Sequence, residues 1–212
     1  MKKTIRKWAV YPLWEAMKEE RDLNLASKKG LQLVKCASYY WVLEKDDTVR
    51  YTYQLDFNPA AKNDSRYKEM FADMGWEYIS STFNGWHYFR KTYKEGQQLE
   101  NGEVVESERL YTDKESIEEM EKRWQSLGNF LIIFSFLFSL FSFCLIVILN
   151  EIKFFGFGLA FLFYGITIKT SINNYKQKKN NPNFVPKLRI PFGFSNLVFL
   201  FLVIITFISI AL

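Results

Sequence analysis

The chain has 212 residues, a net charge of +5 and 49% hydrophobic residues. Its charge and aromatic residues are divided unevenly along the sequence, which favours a modest domain with a second part attached over one large domain. All six tryptophans and 22 of the 23 acidic residues precede Gly128, whereas 17 of the 21 phenylalanines follow it. Residues 1–127 carry 21 basic and 22 acidic residues. This near-neutral part lacks the basic stripe that binding to nucleic acid requires.

The composition also disfavours metal and cofactor chemistry. A zinc site needs several Cys or His ligands, and the chain has two cysteines and one histidine. Cys36 lies in the polar part and Cys144 in a long apolar run, so we expect two free, buried thiols. No glycine-rich phosphate loop with its lysine is present. We therefore predict no cofactor, no metal and no enzymatic activity.

In chain order, the pattern predicts a strand over residues 5–11 and a helix over 13–28 that ends before Gly30. A second helix is predicted over 65–74, ending before Gly75. The segments that follow, KKGLQLVK and DMGWEYIS, share a glycine followed by alternating bulky residues, and YWVLEK aligns with HYFRK further on. Residues 1–111 are thus predicted to be an α+β domain: an antiparallel sheet with two helices, in which a strand precedes two helix-plus-hairpin units.

Two further strands have clear signals. RYTYQLDFN, from Arg50, alternates strictly between aromatic or apolar and polar residues, which is typical of a half-buried strand. Asn84 and Gly85 predict a two-residue hairpin turn with Phe83 opposite Trp86. Beyond this hairpin, residues 95–108 are rich in charge and are predicted to form an exposed connection.

The hairpin over residues 75–91 concentrates aromatic side chains around the only histidine. Cross-strand packing is a sufficient reason for them, but they emerge on both faces of the hairpin, so a ligand- or partner-binding face is the alternative. The candidate residues for this aromatic face are Trp76, Tyr78, Trp86, His87 and Tyr88. His87 as a general base has no activated nucleophile near it in sequence, which favours packing.

Residues 112–127 are predicted to form an amphipathic connecting helix. Thr112 and Glu115 match a capping box, and an apolar stripe follows at spacings of three and four residues. The stripe either docks on the domain or lies at the bilayer surface. The stripe is also compatible with a homo-oligomer in which this helix pairs with that of a second copy.

The remainder, residues 128–212, is predicted to be an all-α membrane domain of three transmembrane helices, over about 128–149, 152–170 and 192–212. Apart from Lys153 and Lys169 at the two ends of the second span, these spans contain no charged residue that would serve ion-coupled transport. Small residues on the first two spans, including Ser139 and Gly165, provide surfaces suited to helix packing.

The connection between the second and third spans is basic, so the rule that basic loops stay inside predicts an N-terminal domain in the cytoplasm and a C-terminus outside. Attraction to anionic membrane lipid explains these charges. The candidate contacts to lipid headgroups are Lys176, Lys178, Lys179, Lys187 and Arg189.

Several strings together, GWEY, YFRK and YTDKES above all, resemble the bacterial membrane proteins of the domain of unknown function 2812 family. That family implies no catalytic residues. Its genes often lie beside those of PadR-like transcriptional repressors, so the resemblance implies a signalling or regulatory connection.

From these features we expect a membrane-anchored interaction or sensory module with a protein partner. The alternative is an accessory subunit of a transporter or of an envelope-stress complex, in which the spans make the main contacts. An enzyme acting on a membrane-associated substrate is a third hypothesis.

Overall fold

The computed structural model describes residues 4–37, 39–111, 114–181, 183–186, 188 and 192–211. The chain divides into two compact units, Met1–Trp124 and Gln125–Leu212. One helix, Lys114–Leu149, begins in the first unit and ends in the second.

The strands are β1 (Thr4–Trp8), β2 (Leu31–Cys36), β3 (Tyr40–Lys45), β4 (Tyr51–Phe57), β5 (Glu77–Ser81) and β6 (Trp86–Thr92). The α-helices are α1 (Ala16–Lys28), α2 (Ser65–Asp73), α3 (Lys114–Leu149), α4 (Phe155–Asn180) and α5 (Phe192–Ala211).

The first unit contains two antiparallel three-stranded sheets instead of the single sheet that we predicted. Their strand orders are β1-β3-β2 and β4-β6-β5. Each sheet therefore comes from one strand–helix–hairpin segment, and β4 opens the second segment as β1 opens the first. The sheets meet where the Cys36 amide donates to the Ser80 hydroxyl at 2.9 Å, and α1 contacts both β2 and β4.

The duplication extends to details of the backbone. Gly30 and Gly75 end α1 and α2 with φ of +74° and +80°, a region that favours glycine. In each following strand the register shifts at the fourth residue after the glycine, Val34 in β2 and Ile79 in β5. The two strand–helix–hairpin segments thus share a helix end, a bulge and a strand order.

The hairpin between β5 and β6 differs from the prediction by one residue. The Thr82 amide donates to the Trp86 carbonyl at 2.9 Å, so the loop has three residues, Phe83 to Gly85, and not two. Ser81 consequently lies opposite His87 and not opposite Tyr88. Gly85, with φ of +100°, supplies the left-handed position that such loops use after a type I turn.

Strand β4 is covered on both faces, although its alternation indicated only one buried face. Thr52, Gln54 and Asp56 are buried. The segment that we expected to be an exposed connection covers the first two: the Gln54 side chain donates to the Glu108 carbonyl at 2.9 Å, and Gln98 donates to the Thr52 hydroxyl at 2.8 Å. Asp56 accepts from the Tyr67 hydroxyl. The polar alternation of β4 therefore reflects polar partners within the protein and not solvent.

In the second unit, α3 and α4 are long and apolar enough to cross a bilayer, while the described apolar part of α5 is shorter. Asn150, with φ of 52°, separates α3 from the turn that leads into α4. Helix α4 runs to Asn180, ten residues beyond the predicted second span. It ends where Asn181 adopts an extended conformation, as expected for a residue that precedes a proline.

Small residues lie at the helix contacts of this unit, in agreement with the packing surfaces predicted from sequence. The Ser139 hydroxyl donates to the Gly158 carbonyl at 2.8 Å. A Cβ atom at Gly165 would lie 3.1 Å from that of Ser135. Only 17% of the most apolar window of α3 and 28% of that of α4 is buried, so these helices present most of their apolar surface outwards.

Candidate functional site

The predicted aromatic face is not an exposed surface. Trp76, Trp86, His87 and Tyr88 are buried, and Tyr78 is half-buried. The reason is topological: β6 is the central strand of its sheet, and its two faces pack in different directions. Phe89 joins a cluster with Phe71 of α2, while Tyr88 on the other face reaches α1. These side chains therefore pack inside the protein, which is the packing alternative given above, and do not form an exposed binding face.

His87 is fully buried beside Tyr67, with ring centroids 5.0 Å apart. Its Nε2 atom lies 2.9 Å from the Asn58 carbonyl oxygen, and its Nδ1 atom has no hydrogen-bond partner among the described residues. Burial lowers the pKa of His87. The ring is therefore a neutral imidazole that donates through Nε2 and has no access to solvent.

A buried carboxylate, Glu19 on α1, joins the two sheets. Its Oε1 atom accepts hydrogen bonds from Trp41 Nε1 of β3 at 2.9 Å and from the Tyr88 hydroxyl of β6 at 2.8 Å. Burial raises the pKa of Glu19 from 4.5 to about 7, and these two donors oppose the rise. Burial also raises the pKa of Cys36 to about 12, with the charge of Glu19 adding to the effect. Glu19 is thus a group whose charge changes near neutral pH.

A cavity of about 20 Å³ adjoins Glu19, Tyr11 and Trp86. This volume holds about one water molecule. The Glu19 site can accordingly store a proton or a water, but it is too small to hold a substrate.

Helix α1 also covers the outer edge of β4. The amides of Tyr51, Tyr53 and Leu55 donate to the side chains of Ser27, Asn24 and Glu20, at 2.8, 2.7 and 2.9 Å respectively. Alternate amides of β4 match every third or fourth residue of α1 because two strand residues and three or four helix residues each advance about 5 to 7 Å. Three buried polar side chains therefore satisfy an edge that would otherwise be open.

Glu20 has a second partner in Arg109, at 3.2 Å. Burial raises the pKa of Glu20, and the positive charge of Arg109 opposes that rise. The arginine thereby ties the segment before α3 to α1.

The first part of α3 is fastened to β4 by Arg123. Its Nε atom donates to the Phe57 carbonyl at 2.9 Å, and its guanidinium lies 3.4 Å from the carboxylate of the buried Asp56. Asp56 also accepts from the Tyr67 hydroxyl at 2.5 Å. Trp124, the next residue along α3, is buried. The predicted connecting helix therefore contacts the domain through Arg123.

The structure describes three of the five residues that we predicted to contact lipid headgroups. Lys176, Lys178 and Lys179 are exposed in the last turns of α4. Cations at the C-terminal end of a helix interact favourably with the helix dipole. Lys187 and Arg189 lie outside the described residues, as does Thr112 of the predicted capping box. Within the described part of the chain, no group of three or more His, Cys, Asp or Glu residues could hold a metal ion.

The fold defines a class of protein in which a duplicated α+β domain is followed by a helix that continues into a unit of apolar helices. The model of the domain of unknown function 2812 family matches residues 15–135, and the chain belongs to this family of proteins of unknown function. The match covers α1 to the middle of α3. Comparisons with curated proteins and with solved structures give no match.

Proposed function

We propose that the protein is a membrane-anchored interaction or sensory module. The domain formed by residues 1–111 binds a cytoplasmic protein, and α3, α4 and α5 cross the membrane as three spans, with the C-terminus outside. The outward apolar surface of α3 and α4 supports the anchor, and the basic residues after the second span support the orientation.

The observation that carries the proposal is the attachment of α3 to the sheet through Arg123 and Asp56. A movement of this part of α3 relative to β4 would break or strain the two contacts that Arg123 makes with Phe57 and Asp56. A displacement of α3 in the membrane would therefore alter the domain, and a partner bound to the domain would alter α3. PadR-like transcriptional repressors are the first partners to test.

Photo-crosslinking in intact cells tests this function. A photoreactive amino acid is placed at Trp8 or Phe83, which are exposed in the first unit, and at Leu137 or Phe201, which are exposed in the second. The interaction module predicts crosslinked protein from the first pair. Crosslinks to protein from the second pair alone would favour the accessory-subunit alternative, and no protein adduct from any position would contradict both.

A further inference from the structure

Strand β1 forms an open edge of the first sheet. It is the outer strand in the order β1-β3-β2, and all five of its residues are exposed. Trp8 is 81% exposed and Ile5 is 40% exposed. Open, exposed edge strands are uncommon because their free backbone groups pair readily with other chains.

The register identifies the backbone groups that face outwards. The Ala9 amide donates to the Tyr39 carbonyl at 2.9 Å, so Ala9 and Tyr39 form a hydrogen-bonded pair. Such pairs alternate along antiparallel strands. The amides and carbonyls of Thr4, Arg6 and Trp8 therefore point away from β3, and no described residue hydrogen-bonds to them.

The equivalent strand of the second segment, β4, has a covered edge. Its outward amides meet α1 as described above, and the outward carbonyl of Phe57 accepts from Arg123. The protein thus satisfies one of two equivalent edges with its own side chains and leaves the other open among the described residues. This asymmetry distinguishes β1 from an edge that merely ends a sheet.

The chemistry of β1 limits what can pair with it. Arg6 and Lys7 lie in the strand, Lys2 and Lys3 precede it in sequence, and Glu15 is the first acidic residue of the chain. A second copy of β1 paired symmetrically about Arg6 would set Arg6 against Arg6, and like charges directly opposite each other destabilise a strand pair. An acidic strand would be attracted instead.

We propose that the β1 edge binds an extended, acidic segment of a partner protein, which adds to the sheet as a fourth strand. Acidic residues lie opposite Arg6 and Lys7, which are adjacent, and apolar residues lie opposite Ile5 and Trp8. The recognised segment therefore has two neighbouring acidic residues between apolar ones. This proposal rests on the proposed function as an interaction module and names its docking surface.

The probe is a fluorescent decapeptide that contains Thr-Val-Glu-Glu-Val-Thr at its centre, titrated into the purified full-length protein in detergent. A peptide with Lys-Lys in place of Glu-Glu is the charge control. We expect saturable binding of the acidic peptide, weakened by salt, and at least about tenfold weaker binding of the basic one. A crosslinker on the peptide should label residues of β1.

Two variants separate the backbone from the charge. Arg6→Ala removes the charge but keeps the outward amide, whereas Arg6→Pro removes both, at an edge position that tolerates proline. We expect Arg6→Pro to bind about fivefold more weakly than Arg6→Ala, as loss of one hydrogen bond implies. If Arg6→Pro does not fold, the same comparison uses peptides N-methylated on one bonding edge or on the other; only one of the two edges should be sensitive.

Other outcomes overturn the proposal. These are equal binding by Arg6→Pro and Arg6→Ala with no effect of N-methylation, equal binding of both peptides, self-association through β1, or binding only to anionic vesicles. Cellular crosslinks from Phe83 without peptide binding at β1 would retain the interaction module and reject this docking surface.

Discussion

At the residue scale, Glu19 is the group whose ionisation the fold alters most usefully. It is buried between the sheets and accepts two hydrogen bonds on one oxygen. The isosteric amide can keep both contacts, so Glu19→Gln isolates the effect of the charge.

The raised pKa of Glu19 predicts a specific dependence of stability on pH. With a pKa near 4.5 when unfolded and about 7 when folded, the native state holds the proton more tightly. Protonation of Glu19 therefore adds about 3 kcal/mol to the free energy of unfolding. This contribution is fully present below about pH 4.5 and is lost as pH rises through about 7. Urea unfolding followed by tryptophan fluorescence should show Glu19→Gln gaining this much relative to wild type between pH 4.5 and 8.

Glu15→Gln provides the matched control, since Glu15 precedes the same helix and is only partly buried. The effect that is specific to Glu19 is the difference between the stability curves of the two variants. Parallel stability curves for the wild type and Glu19→Gln would show that Glu19 does not titrate in this window.

Arg123 predicts a second effect of a single residue. Arg123→Ala leaves Asp56 buried without its cation and the Phe57 carbonyl without a donor. Because the arginine is partly exposed, we expect a loss of about 2 kcal/mol in the free energy of unfolding of the first unit. Lys122→Ala, at the exposed neighbouring position, should cost less than about 0.5 kcal/mol. Equal effects of the two changes would rule out the fastening role.

At the element scale, the contact between α1 and β4 depends on Asn24. Its side chain accepts from the Tyr53 amide and donates to the Gly102 carbonyl at 3.0 Å. Asn24→Ala should destabilise the domain by about 2 to 3 kcal/mol because it leaves a buried amide unpaired, despite the better helix propensity of alanine. Chemical denaturation measures the loss, and Lys28→Ala on the exposed face of α1 is the control. A stabilised Asn24→Ala would contradict the edge-covering role.

Elements with local signals were predictable from sequence. The ends of α1 and α2 depend on Gly30 and Gly75, and the positions after them repeat because each segment folds in the same way. Pairing partners were not predictable, since β4 joins β6 and not β3 through contacts distant in sequence.

The candidate site was predicted poorly for the same reason. The aromatic residues near His87 looked available for binding, but only the second sheet and α1 together show that they are buried. Glu19, Glu20 and Asn24 had a recognisable signal, polar residues spaced along one face of a helix, but this pattern is typical of a solvated face. Their burial depends on a strand edge that no local pattern reveals.

At the scale of the whole molecule, one continuous helix, α3, connects the folded domain to the proposed membrane anchor. The first unit holds Arg123 and Trp124, and α3 continues from them through apolar residues to Leu149. If α3 crosses the membrane as proposed, the turn after Leu149 and the domain lie on opposite sides.

Cysteine labelling in intact cells tests this arrangement most directly. Single cysteines at Phe83 in the domain and at Glu151 after α3 are placed in a chain with Cys36→Ser and Cys144→Ser, and a membrane-impermeant maleimide is added. Glu151→Cys should react in intact cells, and Phe83→Cys only after the cells are opened. Reaction of Phe83→Cys in intact cells, or recovery of the wild-type chain as a soluble protein without detergent, would contradict a cytoplasmic domain anchored by membrane-spanning helices.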